Sequence, residues 1–231
     1  MKRFRDWTIF EISWLLVFTL INVYLFIAWQ DSLLGLISSL AGMLCVVLVA
    51  KGKIANYYFG IIQTGTYAYI SYTYGLYGEA MLNGLFYFPI QFIGIYLWRK
   101  NMTKDSIKGE DVKVKTLDSK GWSLLGITVL VSIFLYALLL DYLGGRSVYI
   151  DSATNVLSVT AQILMLRRFA EQWLLWILVN VLSVILWFNA LISTGGNDIS
   201  MLVMWTAFLF NSIYGYINWT KLYKKQGAAA V

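Results

Sequence analysis

Residues 33–53 read LLGLISSLAGMLCVVLVAKGK, an apolar run that ends in a short basic segment. No charged residue interrupts the run from Leu33 to Ala50, which is close to the ~20 mostly apolar residues that a bilayer-spanning helix needs. A spanning segment must satisfy its own backbone polar groups, and near-continuous apolarity favours a helix over a barrel strand, which alternates. The stretch therefore predicts a transmembrane helix followed by a basic turn.

The rest of the chain repeats this pattern. Of its 231 residues, 59% are hydrophobic and only 13% are charged, whereas soluble domains carry roughly 25% charged residues. Further apolar runs give, together with the first, eight predicted spans: 10–29, 33–50, 56–76, 80–98, 122–143, 153–166, 172–193 and 200–220. These runs use nearly all of the chain and leave no room for a separate soluble domain. We therefore predict an all-α integral membrane protein with eight transmembrane helices.

The basic residues support this assignment. All but one of the 18 Lys and Arg residues fall at the termini or in the connections after the second, fourth and sixth helices, and only Arg146 falls on the other side. The positive-inside rule then places both termini in the cytoplasm. The net charge of +6 follows from this topology and does not indicate a nucleic-acid partner. The charged stretch 99–120 is predicted to be a solvated cytoplasmic loop, with a lipid or regulatory site as the alternative.

The two ends of the chain call for separate interpretations. Basic residues precede the first apolar run, as in a signal peptide, but the run is too long and lacks a small-residue cleavage site. We interpret it as a retained helix. The small residues near the other end, within 226–231, are interpreted as a non-native tail.

The second half of the chain resembles the first. An offset of 117 residues places 40–51 on 157–168, Phe59 on Trp176 and Gln63 on Asn180. An offset of 121 aligns a shared Gly-x-x-x-Trp-x-Lys pattern, which begins at Gly94 and at Gly215. Chance similarity between apolar helices is the alternative explanation.

The repeat gives a predicted organisation: an extra N-terminal helix in 1–30, a first three-helix repeat in 31–100, the loop and a linker helix in 101–145, a second three-helix repeat in 146–225, and the tail in 226–231. Three helices plus one linker make an even number of crossings, so the repeats are expected to be parallel, as in SWEET transporters. Carriers built from such repeats bind substrate near the membrane midplane at the seam between the repeats. We expect the site there.

Polar and aromatic residues about midway along the repeat helices form the predicted binding site: Gln63, Thr64, Tyr87, Phe88, Gln91, Trp173, Trp176, Asn180, Asn211 and Tyr214. Trp173, Trp176 and Asn180 share one helix face. Amides donate and accept hydrogen bonds at once, and aromatic faces suit a flat or cationic ring. The alternatives are an interfacial anchor for Trp173 and bridges between helices for Asn180 and Gln91.

The missing residue types exclude several functions. There is no His, and the acidic residues of the spans fall near predicted helix ends: Glu11, Glu79, Asp141 and Asp198. Ion-driven carriers keep acidic residues inside the membrane, so we predict facilitated diffusion. With no paired inward carboxylates, we predict no catalytic residues, metal or cofactor, and no enzymatic activity.

Two single residues in the predicted spans carry weaker signals. Cys45, the only cysteine, has no partner for an intrachain disulfide and is expected to be a small buried hydrophobe. Pro89, the only proline, is expected to kink the fourth helix because it lacks an N–H group.

The stretch Glu171-Gln172-Trp173-x-x-Trp176-x-x-x-Asn180 resembles the Trp-x-x-Trp-x-x-x-Asn signature of the PnuC nicotinamide riboside transporters. The likeness runs from the second helix to the Gly215-Tyr216-x-x-Trp219 end of the eighth. It implies a SWEET-like transporter of the bacterial inner membrane that moves nicotinamide riboside by facilitated diffusion, with Trp173, Trp176 and Asn180 lining the binding region.

The resemblance also implies partners and leaves alternatives. It suggests a homo-oligomer such as a trimer, with the first helix as a candidate contact surface, and a cytoplasmic riboside kinase that traps the substrate. Similar carriers take thiamine or riboflavin. A membrane-embedded enzyme acting on lipid and a non-transporting receptor component are the two remaining classes.

Overall fold

Eight helices account for most of the described chain. The computed structural model describes residues 7–29, 32–73, 80–102, 111–142, 144, 148–194 and 199–228. The first four helices lie in unit 1, Met1–Lys113: α1 (Ile9–Trp29), α2 (Leu33–Ala50), α3 (Asn56–Thr73) and α4, which has a π-helical part (Leu82–Tyr87) and an α-helical part (Phe88–Arg99). The next four lie in unit 2, Val114–Val231: α5 (Ser119–Tyr142), α6 (Val148–Leu166), α7 (Gln172–Thr194) and α8 (Ile199–Ala228). The predicted all-helical class is confirmed.

Each unit is a series of packed neighbours. In unit 1, α2 packs on α1 and α3, and α3 packs on both parts of α4. In unit 2, α6 packs on α5 and α7, and α7 packs on α8. Among the described residues, three helices are long and apolar enough to cross a membrane: α1 over Ile9–Ala28, α2 and α5. The number of crossings stays a prediction.

Several helices extend beyond the apolar runs. Helix α6 begins at Val148 rather than 153 because it continues through polar residues such as Asp151, which a search for apolar runs excludes. Helix α5 begins at Ser119, and the N–H of Gly121 donates to Asp118 Oδ1 (2.8 Å), as at a capped helix start. Polar residues at helix ends thus belong to the helices.

The end of α8 overlaps the predicted tail. The helix continues to Ala228, beyond the apolar run that ended at 220. The side chain of Gln226 accepts a hydrogen bond from the N–H of Val114 (2.9 Å). Gln226 therefore contacts the start of its own unit, and a non-native origin for 226–231 stays a prediction.

Helix α2 ends in a Schellman turn. Gly52 has a φ of 68°, a left-handed conformation that glycine adopts without steric cost. The N–H of Lys53 donates to the carbonyl of Leu48 (2.9 Å), and that of Gly52 to Val49 (2.8 Å). These bonds satisfy carbonyl groups that the helix end leaves unpaired.

Helix α6 ends in the same turn. Arg168 holds the left-handed position with a φ of 68°; the N–H of Phe169 donates to Leu164 and that of Arg168 to Met165, both at 2.9 Å. The turns of α2 and α6 are therefore offset by 116 residues, and the predicted offset of 117 is wrong at this point. Apolar helices align almost equally well at either offset, because their aliphatic residues are interchangeable, whereas the turn hydrogen bonds align at one only.

An aromatic ring at the start of α3 packs against a glycine of α4. A Cβ on Gly94 would overlap the ring of Tyr57, so only glycine permits this approach. Tyr57 also meets Trp98 edge to face, with ring centroids 5.0 Å apart and planes at 85°. Tyr57 and Trp98 are fully buried, and they hold α3 and α4 in one register.

Unit 2 contains the matching contact. A Cβ on Gly215 of α8 would lie 2.6 Å from the ring of Trp173 of α7. Trp173 meets Trp219 edge to face at 6.1 Å and 74°. The pairing of Gly94 with Gly215 at the offset of 121 agrees with these contacts, and Trp173 takes the place that Tyr57 takes in unit 1.

A buried ion pair fastens α1 to the end of α2. Thr8 and Glu11 form a capping box, in which each side chain accepts from the other's backbone N–H (2.8 and 3.2 Å). Glu11 Oε2 also accepts from Lys51 Nζ at 2.6 Å, and both side chains are buried. The Lys51 ammonium lies 4.8 Å from the centre of the Trp7 ring. The extra N-terminal helix is thus anchored beside the turn.

Two apolar residues of the charged stretch 99–120, Val112 and Val114, are buried, which corrects the prediction of a solvated loop at these positions. The described charged residues from 113 to 120 are exposed, as that prediction expects. Val112 is fully buried and its N–H donates to the carbonyl of Gly52 (3.0 Å). Asp111 pairs with Lys53. The turn after α2 therefore binds residues 111 and 112 of its own unit.

The turn after α6 binds the residues that follow. Lys115 donates its N–H to the carbonyl of Arg168 (2.8 Å), and its own carbonyl accepts from Ala170 (2.9 Å). The N–H of Leu117 donates to Glu171 Oε1 (2.9 Å). Hydropathy carried no signal for this segment, because backbone groups and isolated apolar residues provide the contacts.

Replacing Glu11 by Gln tests the ion pair. Gln can keep the bond to the Thr8 N–H but removes the carboxylate that neutralises Lys51, so we expect the free energy of unfolding to fall by about 3–5 kcal/mol. Thermal unfolding of the detergent-solubilised protein measures the loss. The control is Asp151→Asn, at an exposed acidic residue, and it should melt like the parent protein. Identical melting of Glu11→Gln would show that the pair adds no stability.

Replacing Gly94 or Gly215 by Ala tests the aromatic contacts. The added methyl group overlaps the Tyr57 or Trp173 ring, and we expect a loss of about 1–3 kcal/mol from overpacking. Gly126→Ala on α5 is the matched control, since no atom lies within 4 Å of its Cβ position and Ala is the better helix former. Equal stability of all three variants would contradict the close approach.

Candidate binding site

In unit 1, the amide of Gln91 lies directly over Gly60 of α3. A Cβ on Gly60 would overlap the Gln91 amide group. Gln91 is 4% exposed, and its Nε2 donates to the carbonyl of Tyr87 (3.0 Å). Its Oε1 is buried and has no hydrogen-bond partner among the described residues. Gln91 thus keeps a hydrogen-bond acceptor available.

The two neighbouring polar residues of α3 have different surroundings. Thr64 is buried, and its hydroxyl donates to the carbonyl of Gly60 (2.7 Å), one helical turn back. Gln63 lies against α2, because a Cβ on Gly42 would be 3.1 Å from Gln63 Cγ. Thr64 therefore shares the Gly60 face with Gln91, and Gln63 points to another helix.

The π-helical part of α4 brings the aromatic candidates next to Pro89. The N–H of Phe88 bonds the carbonyl of Asn83, five residues back, and the helix returns to α-geometry at Phe88. A π-helical turn, a feature often found at functional sites, thus precedes Pro89, and the predicted kink stays a prediction. The Phe88 ring packs over Gly65, while Tyr87 is half-buried.

In unit 2, Asn180 bridges α7 and α8. Its Nδ2 donates to Ser212 Oγ (2.8 Å), and Ser212 donates to the carbonyl of Phe208 (2.9 Å). Both side chains are buried. This bond is the bridging role that the sequence left open for Asn180. At the offset of 116, Asn180 corresponds to Thr64, so the predicted match with Gln63 is wrong by one residue.

The two tryptophans of the motif lie in different surroundings. Trp173 is buried against Gly215 and Trp219, and its Nε1 has no partner among the described residues. Trp176 is half-buried and therefore keeps part of its ring accessible. Trp173 has the surroundings of a packed core residue, and Trp176 those of a residue that can also contact a ligand.

The candidates on α8 lie near Ser212. Asn211 is buried, and Tyr214 is half-buried. The candidates thus form two groups, with Thr64, Gln91, Tyr87 and Phe88 near the α3–α4 contact, and Trp176, Asn180, Asn211 and Tyr214 on α7 and α8. Among the described residues, no cluster of His, Cys, Asp and Glu could hold a metal.

Comparison with known proteins identifies the family. The family model described as nicotinamide mononucleotide transporter matches residues 32–221. A Neisseria mucosa protein named nicotinamide riboside transporter PnuC is 45% identical over 97% of this chain and 86% of its own length. The Haemophilus influenzae protein of that name is 42% identical over 95% and 93%. The chain belongs to the PnuC family.

A solved structure supports this membership. The crystal structure of the vitamin B3 transporter PnuC has a TM-score of 0.82 and 45% identity to this chain, and the match covers 97% of this chain and 96% of the other. The Escherichia coli PnuC is more distant, at 29% identity over 65% of this chain and 72% of its own. Family membership and the apolar helices make this chain a multi-pass membrane protein.

The sequence reasoning missed polar residues next to the PnuC motif. Gln172 is fully buried, and neither polar atom of its amide has a partner among the described residues. Its counterpart at the offset of 116 is Asn56, also fully buried, whose Nδ2 donates to the carbonyl of Lys53 (2.6 Å). The aligned pair of amides was a signal in the sequence, but the offset of 117 hid it.

Ser212→Ala tests the bridge to Asn180. It removes the acceptor and leaves a buried N–H group of Asn180 unpaired, which should cost about 1–3 kcal/mol. We expect the double variant with Asn180→Ala to be little less stable than either single variant, because the residues act as one unit. Denaturant or thermal unfolding gives the coupling. Thr206→Val, which removes a hydroxyl bonded to its own helix, is the control, and additive losses in the double variant would contradict the bridge.

Proposed function

We propose that this protein carries nicotinamide riboside across the bacterial inner membrane by facilitated diffusion. The observation that carries the proposal is the extent of the likeness to PnuC proteins named nicotinamide riboside transporters, at 45% and 42% identity over almost the whole chain. The family match, residues 32–221, includes every candidate binding residue. The structural relative is named a vitamin B3 transporter.

The candidate residues suit the parts of this substrate. Nicotinamide riboside has a carboxamide, a pyridinium ring and a ribose. The Gln91 Oε1 accepts from N–H or O–H groups, and the half-buried Trp176 offers a ring face to the cationic pyridinium. Asn180 has its Nδ2 on Ser212, and its amide oxygen is the atom that we assign to the ligand.

The proposed topology has eight spans and two cytoplasmic termini. Helices α2–α4 and α6–α8 are proposed as three-helix repeats, with α5 as the linker and α1 outside them. The matching turns and aromatic-to-glycine contacts support the repeat. The expectations that the repeats are parallel and that the site lies at their seam stay predictions.

The proposed mechanism uses no coupling ion. Glu11 lies in the first turn of α1, paired with Lys51, and Asp141 lies in the last turn of α5 and is exposed; Glu79 and Asp198 lie outside the described residues. A cytoplasmic riboside kinase that traps the substrate, and a homo-oligomer such as a trimer with contacts through α1, complete the proposal.

Uptake into liposomes that contain only this protein tests the proposal. We expect labelled nicotinamide riboside to equilibrate across the membrane without an ion gradient and to be recovered chemically unchanged. Uptake of thiamine or riboflavin instead would move the assignment to another vitamin. Binding without uptake would indicate a receptor component, conversion of the substrate would indicate an enzyme, and a requirement for an ion gradient would exclude facilitated diffusion.

The same uptake assay tests two candidate binding residues, Trp176 and Asn180. We expect Trp176→Ala and Asn180→Ala to lower the initial uptake rate about tenfold or more, equivalent to ~1.4 kcal/mol of lost interaction. Leu130→Ala, at a 70% exposed residue of α5, is the matched control and should transport normally. Normal uptake by both site variants would exclude these residues from the binding region.

A further inference from the structure

Gly60 lies where α2, α3 and α4 meet. It is buried, and the atoms around its absent Cβ are the amide group of Gln91 from α4 and the sulfur of Cys45 from α2, at 3.4 Å. Any side chain at this position overlaps the Gln91 amide, whereas Cys45 is at ordinary contact distance. The Gln91 amide therefore occupies the space that a side chain at Gly60 would fill.

The Gln91 amide has one orientation in this space. Its nitrogen donates to the Tyr87 carbonyl at 3.0 Å, and a carbonyl oxygen can only accept. If the nitrogen and oxygen of the amide changed places, the amide oxygen would face the Tyr87 carbonyl oxygen, and neither could donate. Oε1 is therefore directed to the Gly60 side, where it overlaps the absent Cβ position. This oxygen is buried and has no partner among the described residues. Buried acceptors without a partner are rare and costly in folded proteins.

The corresponding positions of unit 2 reverse the arrangement. The offset of 116 places Trp176 at the Gly60 position, and the offset of 121 places Ser212 at the Gln91 position. The large residue is then on α7 and the small one on α8. The Ser212 hydroxyl is bonded to Asn180 and Phe208, so the polar group at this position is satisfied within unit 2.

We propose that Gly60 is a positioning residue for specificity: by lacking a side chain it holds the Gln91 amide oxygen ready for a hydrogen-bond donor on the substrate. This inference rests on the proposed function. A nicotinamide riboside offers two kinds of donor, the carboxamide N–H and the ribose O–H. When the donor arrives, the buried oxygen gains the bond that it lacks in the free protein, so the site favours ligands that have that donor.

Calorimetric titration of the detergent-solubilised full chain tests this role. The ligands are nicotinamide riboside, nicotinic acid riboside, which lacks the carboxamide, and the 2′-deoxy, 3′-deoxy and 5′-deoxy analogues, which each lack one hydroxyl. We expect the parent protein to discriminate against one of these analogues about tenfold or more, which identifies the donor. Gly60→Ala should lose most of that discrimination, because its methyl group displaces the amide.

Two further variants separate positioning from a general loss of structure. Gln91→Asn shortens the amide arm without changing α3, and it should lose the same discrimination even if Gly60→Ala does not fold. In a Gln91→Ala background, Gly60→Ala should change affinity little further, since Gly60 acts through Gln91. Gly84→Ala is the matched control in α4, because its Cβ would lie at an ordinary 3.6 Å from Ala68, and it should discriminate like the parent.

The outcomes distinguish the two proposals. If the parent chain binds thiamine or riboflavin and not nicotinamide riboside, the proposed function fails. The Gly60 and Gln91 variants are then titrated with analogues of the vitamin that binds. If the parent binds nicotinamide riboside and both Gly60→Ala and Gln91→Asn discriminate as it does, the role of Gly60 is overturned. Independent, additive effects of the Gly60 and Gln91 substitutions would also overturn it.

Discussion

The close approach of an aromatic ring to a helix backbone governs the packing within each unit. Tyr57 packs over Gly94 in unit 1, and Trp173 packs over Gly215 in unit 2. Because a ring can enter only where the Cβ is missing, each contact permits one register between its two helices. One turn further along the same antiparallel pair, the Tyr57 contact places Gly60 beside Gln91. The polar residues are thus positioned by a contact that is itself apolar.

The two units have similar helix contacts but different polar residues at the corresponding positions. In unit 1 a glycine faces a long amide, whose oxygen is buried without a partner among the described residues. In unit 2 a tryptophan and a serine hold the corresponding positions, and the serine pairs with Asn180. Placing the large residue on one helix in unit 1 and on the other in unit 2 changes which polar atoms remain available.

Charged groups stabilise the helix ends near the turns. The Glu11–Lys51 pair is buried and joins the capping box of α1 to the end of α2, and a charge so placed is tolerated only with its partner. Residues 111 and 112 bind the turn after α2, and residues 115 and 117 bind the turn after α6. The basic residues that indicate topology therefore include some with a specific structural role, such as Lys51 and Lys53.

The sequence by itself determined the helical class, the approximate helix positions and the family, because apolar runs of spanning length and the Trp-x-x-Trp-x-x-x-Asn motif are local properties of the chain. It also predicted the match of Gly94 with Gly215, which the similar aromatic contacts of these two glycines support. Only the tertiary structure decided the offset of 116, the pairing of Asn180 with Ser212, the orientation of Gln63 toward α2 and the core position of Trp173. These features depend on which side chains meet across helices. Aliphatic sequences align almost equally well at offsets that differ by one residue, so the sequence does not determine these contacts. A one-residue shift turns a helical side chain by about 100°, enough to exchange Gln63 for Thr64 at the candidate site.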